Sequence, residues 1–230
     1  MLVVVGGHSR NIGKTSVVVG LIRKLRARKW TAVKITLYGN SVCTHDGGAC
    51  GCEPAGGETY ELTEEYQPND TDSGRFLAAG AERSLWLRAP AGELARAAGT
   101  VRKILDQSGN VIVESNSILE LVNPDVFLML LDFSCEDFKP SSLRFMDRAD
   151  AFVVVDQGIN VPLWEDVARG MWDGKPQFLV KPPVYVTAAV AEFVRGKLSG
   201  PAAFERVGEL CFDRRQARIR PPSLICPSGV

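Results

Sequence analysis

The first sixteen residues constrain the fold of this chain most, because they combine a strand pattern, a glycine turn and a helix start. Leu2 to Val5 is a short apolar run of mostly β-branched residues, as in a buried strand of a parallel sheet. Gly6 and Gly7 end that run, and Gly13-Lys14-Thr15-Ser16 opens an apolar helical pattern. This order is typical of a phosphate-binding loop, in which backbone N–H groups and a helix N-terminus face an anion.

The loop departs by one residue from the strict pattern G-x-x-x-x-G-K-[ST], which requires glycine where this chain has His8. Counted from Gly7, the loop is G-x₅-G-K-T. One alternative is a glycine turn that only joins a strand to a helix. We predict a nucleoside triphosphate site, in which Lys14 reaches the β- and γ-phosphates and the Thr15 hydroxyl ligates Mg²⁺. Contact of His8 with substrate or with an adjacent subunit is a weaker hypothesis.

Composition excludes several classes of function. The 27 basic and 27 acidic residues cancel, so no strong net charge favours nucleic acid or a membrane surface. The longest apolar runs are shorter than the roughly 18–20 residues that span a bilayer. The N-terminus has neither the charged region nor the cleavage site of a signal peptide. We therefore expect a cytoplasmic protein without nucleic-acid or membrane partners.

Strand patterns alternate with helical patterns along most of the chain. The predicted strands are 2–5, 30–37, 84–88, 110–114, 126–132, 151–156 and 177–180, and the predicted helices are 15–28, 70–80, 91–107, 141–148 and 190–198. This alternation predicts an α/β fold with three α/β/α layers and a mainly parallel sheet, as in a P-loop NTPase. We expect a single domain over 1–230 with an irregular Cys/Gly-rich excursion at about 39–69, and such long excursions are usually functional or mobile.

Ligands of such sheets bind at the carboxyl ends of the strands, and several polar residues follow apolar runs at that edge. Besides the loop of Gly6 to Thr15, these are Thr36, Glu114, Asp132 and Asp156. Glu114 closes the run Val-Ile-Val-Glu and is predicted to ligate Mg²⁺ or to position water. The alternative is a strand-end acid that meets solvent or caps Asn116.

Other charged residues are weaker predictions. Asp72 lies in Asp-Thr-Asp-Ser-Gly-Arg, where it either acts near the γ-phosphate or caps a helix. Asp46 is a further acid of this kind. Lys34 lies within a strand pattern, so it either supplies charge near the phosphates or pairs with an acid across the sheet edge. The run Lys139-Pro-Ser141-Ser142 is either a capped helix start or a binding loop at the active edge.

The predicted site residues form two sets. The predicted catalytic residues are Lys14, Asp72 and Glu114, with Thr15 and Glu114 as Mg²⁺ ligands. The predicted nucleotide-binding residues are Gly7, Asn11, Ile12, Gly13, Lys14, Thr15, Ser16 and Lys34. The chain lacks the Asn-Lys-x-Asp tetrapeptide of many guanine-binding proteins, and Asp156 and Lys181-Pro-Pro occupy comparable places, so GTP and ATP both stay open.

Four potential soft metal ligands fall within ten residues of the excursion: Cys43, His45, Cys50 and Cys52. The pattern C-x-H-x₄-C-x-C suits Zn²⁺ or, with further ligands, an iron–sulfur cluster, although the spacing matches no C-x₂-C zinc motif. The alternatives are a mobile loop of free thiols, a metal held between two subunits by Cys50-Gly-Cys52, and redox pairing. Of the other cysteines, Cys135 and Cys211 are predicted to be small core residues, and Cys226 is assigned no role.

The motif order resembles a known family. The longer loop, Gly7 to Thr15, resembles that of the dethiobiotin synthetase-like P-loop NTPases. Over roughly residues 1–156, the order of motifs is similar to that of the molybdopterin-guanine dinucleotide biosynthesis protein B family. The motifs are Val33-Lys34-Ile-Thr36, Asp72-Ser73-x-Arg75, Ala79-Gly80-Ala81 and Val113-Glu114.

This resemblance implies nucleotide and Mg²⁺ binding, a homodimer, and a helper role in completing molybdenum cofactor. By position, it assigns Gly13, Lys14 and Thr15 to phosphate and Mg²⁺, and Glu114 to the metal site. The chain departs from the family in two places. Thr36 stands where the family has Lys-His-x-x-His, and Ser115-Asn116 follows Val-Glu where the family has glycine.

Three functions follow as hypotheses. The first is a Mg²⁺-dependent GTP- or ATP-binding protein with slow hydrolysis, accessory to cofactor biosynthesis and acting with a partner enzyme. The second is a metal-handling maturation NTPase that uses the cysteine loop. The third is an ATP-dependent ligase similar to dethiobiotin synthetase, for which the sequence shows no second-substrate residues.

Overall fold

The structure is a computed structural model that describes residues 1–39, 60–164 and 167–199. The strands in this part of the chain are β1 (Leu2–Gly7), β2 (Trp30–Tyr38), β3 (Glu61–Glu65), β4 (Arg83–Pro90), β5 (Asn110–Glu114), β6 (Val126–Asp132), β7 (Ala151–Val155) and β8 (Gln177–Val180). The α-helices are α1 (Lys14–Lys24), α2 (Asp72–Ala79), α3 (Ala98–Gln107), α4 (Pro140–Phe145) and α5 (Ala188–Leu198).

The strands form one sheet in the order β3-β4-β2-β5-β1-β6-β7-β8. All neighbouring pairs are parallel except β3 with β4, which is antiparallel and lies at the sheet edge. β1 lies between β5 and β6 and is buried along its whole length, which is why its sequence is a continuous apolar run and not an alternating one. The predicted α/β fold with a mainly parallel sheet is confirmed.

Two apolar cores cover the two faces of the sheet and make three layers. On one face, the side chains of α1, α2 and α5 pack against inward-facing strand residues, with Trp30, Phe76 and Leu21 fully buried. On the other face, α3 and α4 pack around Leu94, Phe127 and Phe152. Since β1 contributes Val3 and Val5 to one core and Val4 to the other, it is fixed from both sides.

The structure differs from the sequence prediction in one strand and several element ends. The predicted irregular excursion at about 39–69 contains β3 within its described part, and β3 was missed because its residues, Glu-Leu-Thr-Glu-Glu, are mostly polar and half-exposed at the edge. α1 ends at Lys24, four residues earlier than predicted, and a 3₁₀ turn follows. Within the described ranges, no helix has the length and apolar character needed to cross a bilayer.

Candidate functional site

The loop between β1 and α1 lies at the carboxyl end of the central strand. α1 begins at Lys14, and Gly13 precedes it with a φ of 100°. No side chain caps the first turn of α1 and no acidic residue lies in it, whereas Thr71 caps α2 and Thr187 caps α5. The N–H groups at the start of α1 are therefore not held by a capping side chain, and the positive end of the helix dipole is not neutralised by a local acid.

Gly13 is required at its position for two reasons. Its φ of 100° is in the left-handed region, a backbone conformation that residues with a Cβ rarely adopt. A Cβ built on Gly13 would lie 2.1 Å from Cε1 of Tyr185, so the ring also excludes any larger residue. Tyr185, which follows β8, thus packs over the loop at the helix start.

Asn116 and Ser142 fix the start of the loop. Gly7 N donates to Asn116 Oδ1 at 2.9 Å, and Asn116 Nδ2 donates to Gly7 O at 2.9 Å, so the amide side chain pairs with both backbone groups of Gly7. Ser142 Oγ also donates to Gly7 O, at 2.8 Å, and accepts from Asn116. A Cβ on Gly6 would lie 2.1 Å from Asn116 Oδ1, which explains the glycine there.

His8 is a buried structural residue below the loop. Its side chain is fully inaccessible, and its ring packs 4.8 Å from the ring of Trp164 and 4.9 Å from that of Phe138. Nε2 accepts from Asp132 N at 3.0 Å, so Nδ1, which is 3.1 Å from Asp137 O, carries the proton. This burial excludes the predicted contact of His8 with substrate. The backbone of His8 also accounts for the extra residue in the loop, because His8 N donates to Leu130 O and so extends the pairing of β1 with β6 by one residue.

The buried imidazole should make the protein acid-sensitive. Burial lowers the pKa of His8 from 6.5 to about 4, so the unfolded state takes up this proton first as the pH falls. We expect this group to cost about 3 kcal/mol of unfolding free energy between pH 6.5 and pH 4. Urea unfolding of wild type and His8→Gln across this range measures it. The variant should lose that part of the pH dependence, and parallel pH profiles would contradict the assignment.

Four predicted site residues meet beside the loop in one hydrogen-bonded network. Thr15 Oγ1 donates to Glu114 Oε2 at 2.8 Å. Lys34 Nζ donates to Glu114 Oε1 and to Asp72 Oδ2, each at 2.6 Å. The parallel register produces this meeting, since Lys34 pairs with Glu114 across β2 and β5 and both side chains leave the same face.

The electrostatics of the network follow from burial and pairing. Burial alone would lower the pKa of Lys34, but the charges of Glu114 and Asp72 and their hydrogen bonds raise it above its ordinary value. Burial alone would raise the pKa of Asp72, but Lys34 holds it below its ordinary value. Both groups are therefore ionised at neutral pH. Arg75 adds a weaker contact, 3.6 Å from Asp72 Oδ1.

Lys14 points back over the loop, where Nζ donates to Ser9 O at 2.8 Å. Its hydrogen-bond partner is thus a neutral carbonyl and not a carboxylate. Burial, opposed by the charge of Glu114, lowers the pKa of Lys14 below its ordinary value. A half-buried ammonium with a neutral partner is suited to receive an anionic ligand.

The remaining predicted residues have varied surroundings. Ile12 is a core residue, so its side chain faces away from solvent, and Ser16 Oγ accepts from Arg75 at 3.5 Å. Asn11 lies in the loop with a φ of 53°. Asp46 and the predicted metal ligands Cys43, His45, Cys50 and Cys52 lie outside the described residues, as do Cys211 and Cys226.

Several strand-end residues stabilise turns or neighbouring strands. Asp132 Oδ1 accepts from Ser134 N at 2.9 Å, and Asp156 Oδ1 accepts from Gly158 N at 2.9 Å. Thr36 Oγ1 accepts from the indole N–H of Trp86 at 3.0 Å. Cys135, predicted to be a core residue, is a free thiol at intermediate exposure in the segment after β6, so that prediction is wrong. Thr71, and not Asp72, caps α2 by accepting from Gly74 N.

Sequence reasoning missed the supporting role of Asn116, Ser142 and Tyr185. Asn116 departs from the family pattern two residues after Glu114, which is a usable signal, since an amide there brackets Gly7. Tyr185 carries no such signal, because its contact with Gly13 joins residues more than 170 positions apart.

A cavity of about 290 Å³ opens beside the carboxylate network. It is lined by Lys34, Asp70, Thr71, Asp72, Ser73 and Trp86. Trp86 pairs in register with Lys34, and the Arg88 guanidinium lies 4.5 Å from the Trp86 ring centroid. The cavity therefore leaves space for a small molecule next to Asp72.

Comparisons with known proteins do not show a family. No protein-family model matches the sequence, and no curated protein matches it. HypB from Helicobacter pylori, solved in complex with nickel, is 14% identical at a TM-score of 0.42, covering 85% of this chain and 84% of that chain. LpxK from Aquifex aeolicus, solved in complex with ATP, is 17% identical at a TM-score of 0.45, covering 77% of this chain and 53% of that chain.

The signal recognition particle receptor FtsY from Elizabethkingia anophelis, solved in complex with GDP, is 12% identical at a TM-score of 0.39. That match covers 87% of this chain and 64% of FtsY. At these identities and TM-scores, the three structures carry no argument about function. The resemblance to the family of molybdopterin-guanine dinucleotide biosynthesis protein B therefore stays a prediction.

Proposed function

We propose that this protein binds a Mg²⁺–nucleoside triphosphate at the start of α1 and hydrolyses it slowly. The observation that carries the proposal is the hydrogen bond from the Thr15 hydroxyl to Glu114, the last residue of β5. This contact lies at the N-terminus of α1, which no side chain caps. The loop N–H groups and Lys14 would hold the phosphates. Glu114, Asp72 and Lys34 would surround the γ-phosphate end.

The donor set fits Mg²⁺. Thr15, Glu114 and Asp72 offer a hydroxyl and two carboxylates, which are the hard oxygen ligands that Mg²⁺ prefers. Within 1–39, 60–164 and 167–199, no cluster of three or more His, Cys, Asp or Glu side chains could hold a metal on its own. The ion would therefore bind together with phosphate oxygens, where it would neutralise charge. Lys34 donates to one oxygen of each carboxylate, Glu114 Oε1 and Asp72 Oδ2, so it would have to shift if the cation took those atoms.

Calorimetric titration tests the proposal. ATP and GTP are titrated separately into the purified protein, each with Mg²⁺ and again with excess EDTA. We expect one triphosphate to bind with 1:1 stoichiometry and to bind more weakly in EDTA, because the carboxylates then lack the cation that screens them from the phosphates. Absence of binding for both nucleotides in Mg²⁺ would overturn the proposal, and the comparison of ATP with GTP would settle the base preference.

The finer function proposed is accessory, as a homodimer that serves a partner enzyme in cofactor biosynthesis such as that of molybdenum cofactor. It is supported by the motif order around Lys34, Asp72 and Glu114, whose side chains meet in one network. The dethiobiotin synthetase-like ligase alternative would place its second substrate in the cavity beside Asp72.

A second proposed function is metal handling, which the sequence pattern Cys43-x-His45-x₄-Cys50-x-Cys52 favours. Elemental analysis of protein purified without chelators separates it from the first. Stoichiometric Zn, Ni or Fe that is lost on changing Cys50 and Cys52 to Ser would support it. Metal-free protein with normal nucleotide binding would exclude it.

A further inference from the structure

Lys139 belongs to the segment 133–139, which follows β6 and is fastened to the phosphate loop. Lys139 N donates to His8 O at 2.8 Å. Ser9 Oγ donates to Asp137 Oδ2 at 2.6 Å, and His8 Nδ1 donates to Asp137 O. Ser142, three residues further on, donates to Gly7 O. The backbone of Lys139 is therefore held beside the loop by contacts on both sides of it.

The charges around the half-buried Lys139 side chain are mostly positive. Burial and the nearby cations Lys14 and Arg10 lower the pKa of Lys139 from 10.5 to about 7, with a smaller effect from Lys34. Asp137 is the acid that opposes them, and its carboxylate accepts from Ser9. Lys14 has a carbonyl partner, so cations outnumber the acids available to them on this side of the loop. Such an arrangement is unfavourable until an anion enters it.

We propose that Lys139 is a second phosphate-binding lysine, whose ammonium contacts the phosphate chain of the nucleotide that Lys14 holds. The inference rests on the proposed function of the same loop and adds a residue to it. A triphosphate in the loop would bring several negative charges close to Lys14, and Lys139 lies near enough to Lys14 and Arg10 for their charges to act on it. The segment after β6 would thus close the site from the side opposite Glu114.

The first test is nucleotide affinity of Lys139→Met, which keeps most of the apolar stem and removes the charge. We expect it to bind a non-hydrolysable triphosphate analogue about tenfold more weakly, because one charged hydrogen bond is lost. Lys139→Arg should keep most of the affinity. Lys24→Met is the matched control, since Lys24 is exposed at the far end of α1, roughly 15 Å along the helix from Lys14.

The second test is proton uptake, which a merely structural lysine would not produce. At pH 8 Lys139 is mostly neutral, and a bound phosphate would raise its pKa, so binding should take up protons. Calorimetry in two buffers of different ionisation enthalpy measures the number of protons taken up per nucleotide bound. The charged groups that interact with Lys139 are Lys14, Arg10, Lys34 and Asp137. Because the pKa of Lys14 is lowered as well, Lys14 can also take up protons on binding. The measurement is therefore the difference in the number of protons taken up between wild type and Lys139→Met.

The outcomes separate this inference from the proposed function. If wild type binds nucleotide while Lys139→Met has unchanged affinity and unchanged proton uptake, the role of Lys139 is overturned and the phosphate loop stands. If wild type binds no triphosphate, the proposed function itself fails. Without nucleotide, the variant should be at least as stable as wild type, because a repelled charge is removed; a clear loss of stability would make Lys139 structural.

Discussion

We expect Lys14→Ala to weaken triphosphate binding by at least about 100-fold, because it removes the charged donor at the end of the loop, where α1 begins. In the free protein, Lys14 Nζ donates to the Ser9 carbonyl, a bond that a phosphate oxygen can replace. The calorimetric titration described above measures the change. The fold should tolerate the substitution, since the half-buried ammonium makes no ion pair among the described residues.

Lys24→Ala is the control for this prediction. It removes a lysine from the same helix, but from the exposed last turn, and should leave affinity unchanged. Unchanged nucleotide affinity in Lys14→Ala would contradict the inference that Lys14 holds the phosphates. The loop would then bind phosphate without its only lysine, or the nucleotide would bind elsewhere.

The second large effect concerns stability. Lys34→Met should lower the free energy of unfolding by about 3 kcal/mol at neutral pH, because it leaves the buried Glu114 without its cation and Asp72 with only the longer ionic contact to Arg75. The Glu114 side chain is only 2% exposed, so water cannot compensate for the loss. Urea unfolding followed by tryptophan fluorescence measures the difference. Millimolar Mg²⁺ should restore part of it, since the ion would occupy the same carboxylate oxygens.

Lys29→Met is the matched control, because Lys29 pairs with Glu82 at 3.3 Å on the surface, with 77% and 54% of the two side chains exposed. Removing an exposed pair should cost less than about 1 kcal/mol. Equal losses of unfolding free energy in Lys34→Met and Lys29→Met would show that the ion pairs of Lys34 stabilise the fold no more than an exposed ion pair does. Recovery of Lys34→Met with Mg²⁺ but not with Na⁺ at equal ionic strength would separate site occupation from screening.

Most of the sheet could be predicted from the sequence because parallel strands buried on both faces are continuous apolar runs. The predicted strands over 110–114, 126–132 and 177–180 coincide with β5, β6 and β8. β3 escaped prediction because an edge strand is half-exposed and its polar residues carry no apolar pattern. The helix ends were also less well predicted, since 3₁₀ turns extend α3 and α4 at one end each.

The site was predicted less evenly than the sheet. Lys34 had two alternatives in the sequence, charge near phosphate or an ion pair across the sheet edge, and the structure shows the ion pair with both acids. His8 was placed among weak substrate contacts, yet it supports the loop from below. The sequence could not show this, because the two hydrogen-bond partners of the His8 ring, Asp132 at the end of β6 and Asp137 after it, lie 124 and 129 residues away along the chain.

The sequence by itself determined that β1, a glycine loop and α1 follow one another, since local apolar periodicity and Gly-Lys-Thr need no distant partner. Only the tertiary structure decided that Glu114 accepts a hydrogen bond from Thr15 and that Lys34 bridges Glu114 and Asp72. The reason is register. Which side chains of different parallel strands become neighbours depends on how strands far apart in the chain align, and on the helix that brings Asp72 to the same edge.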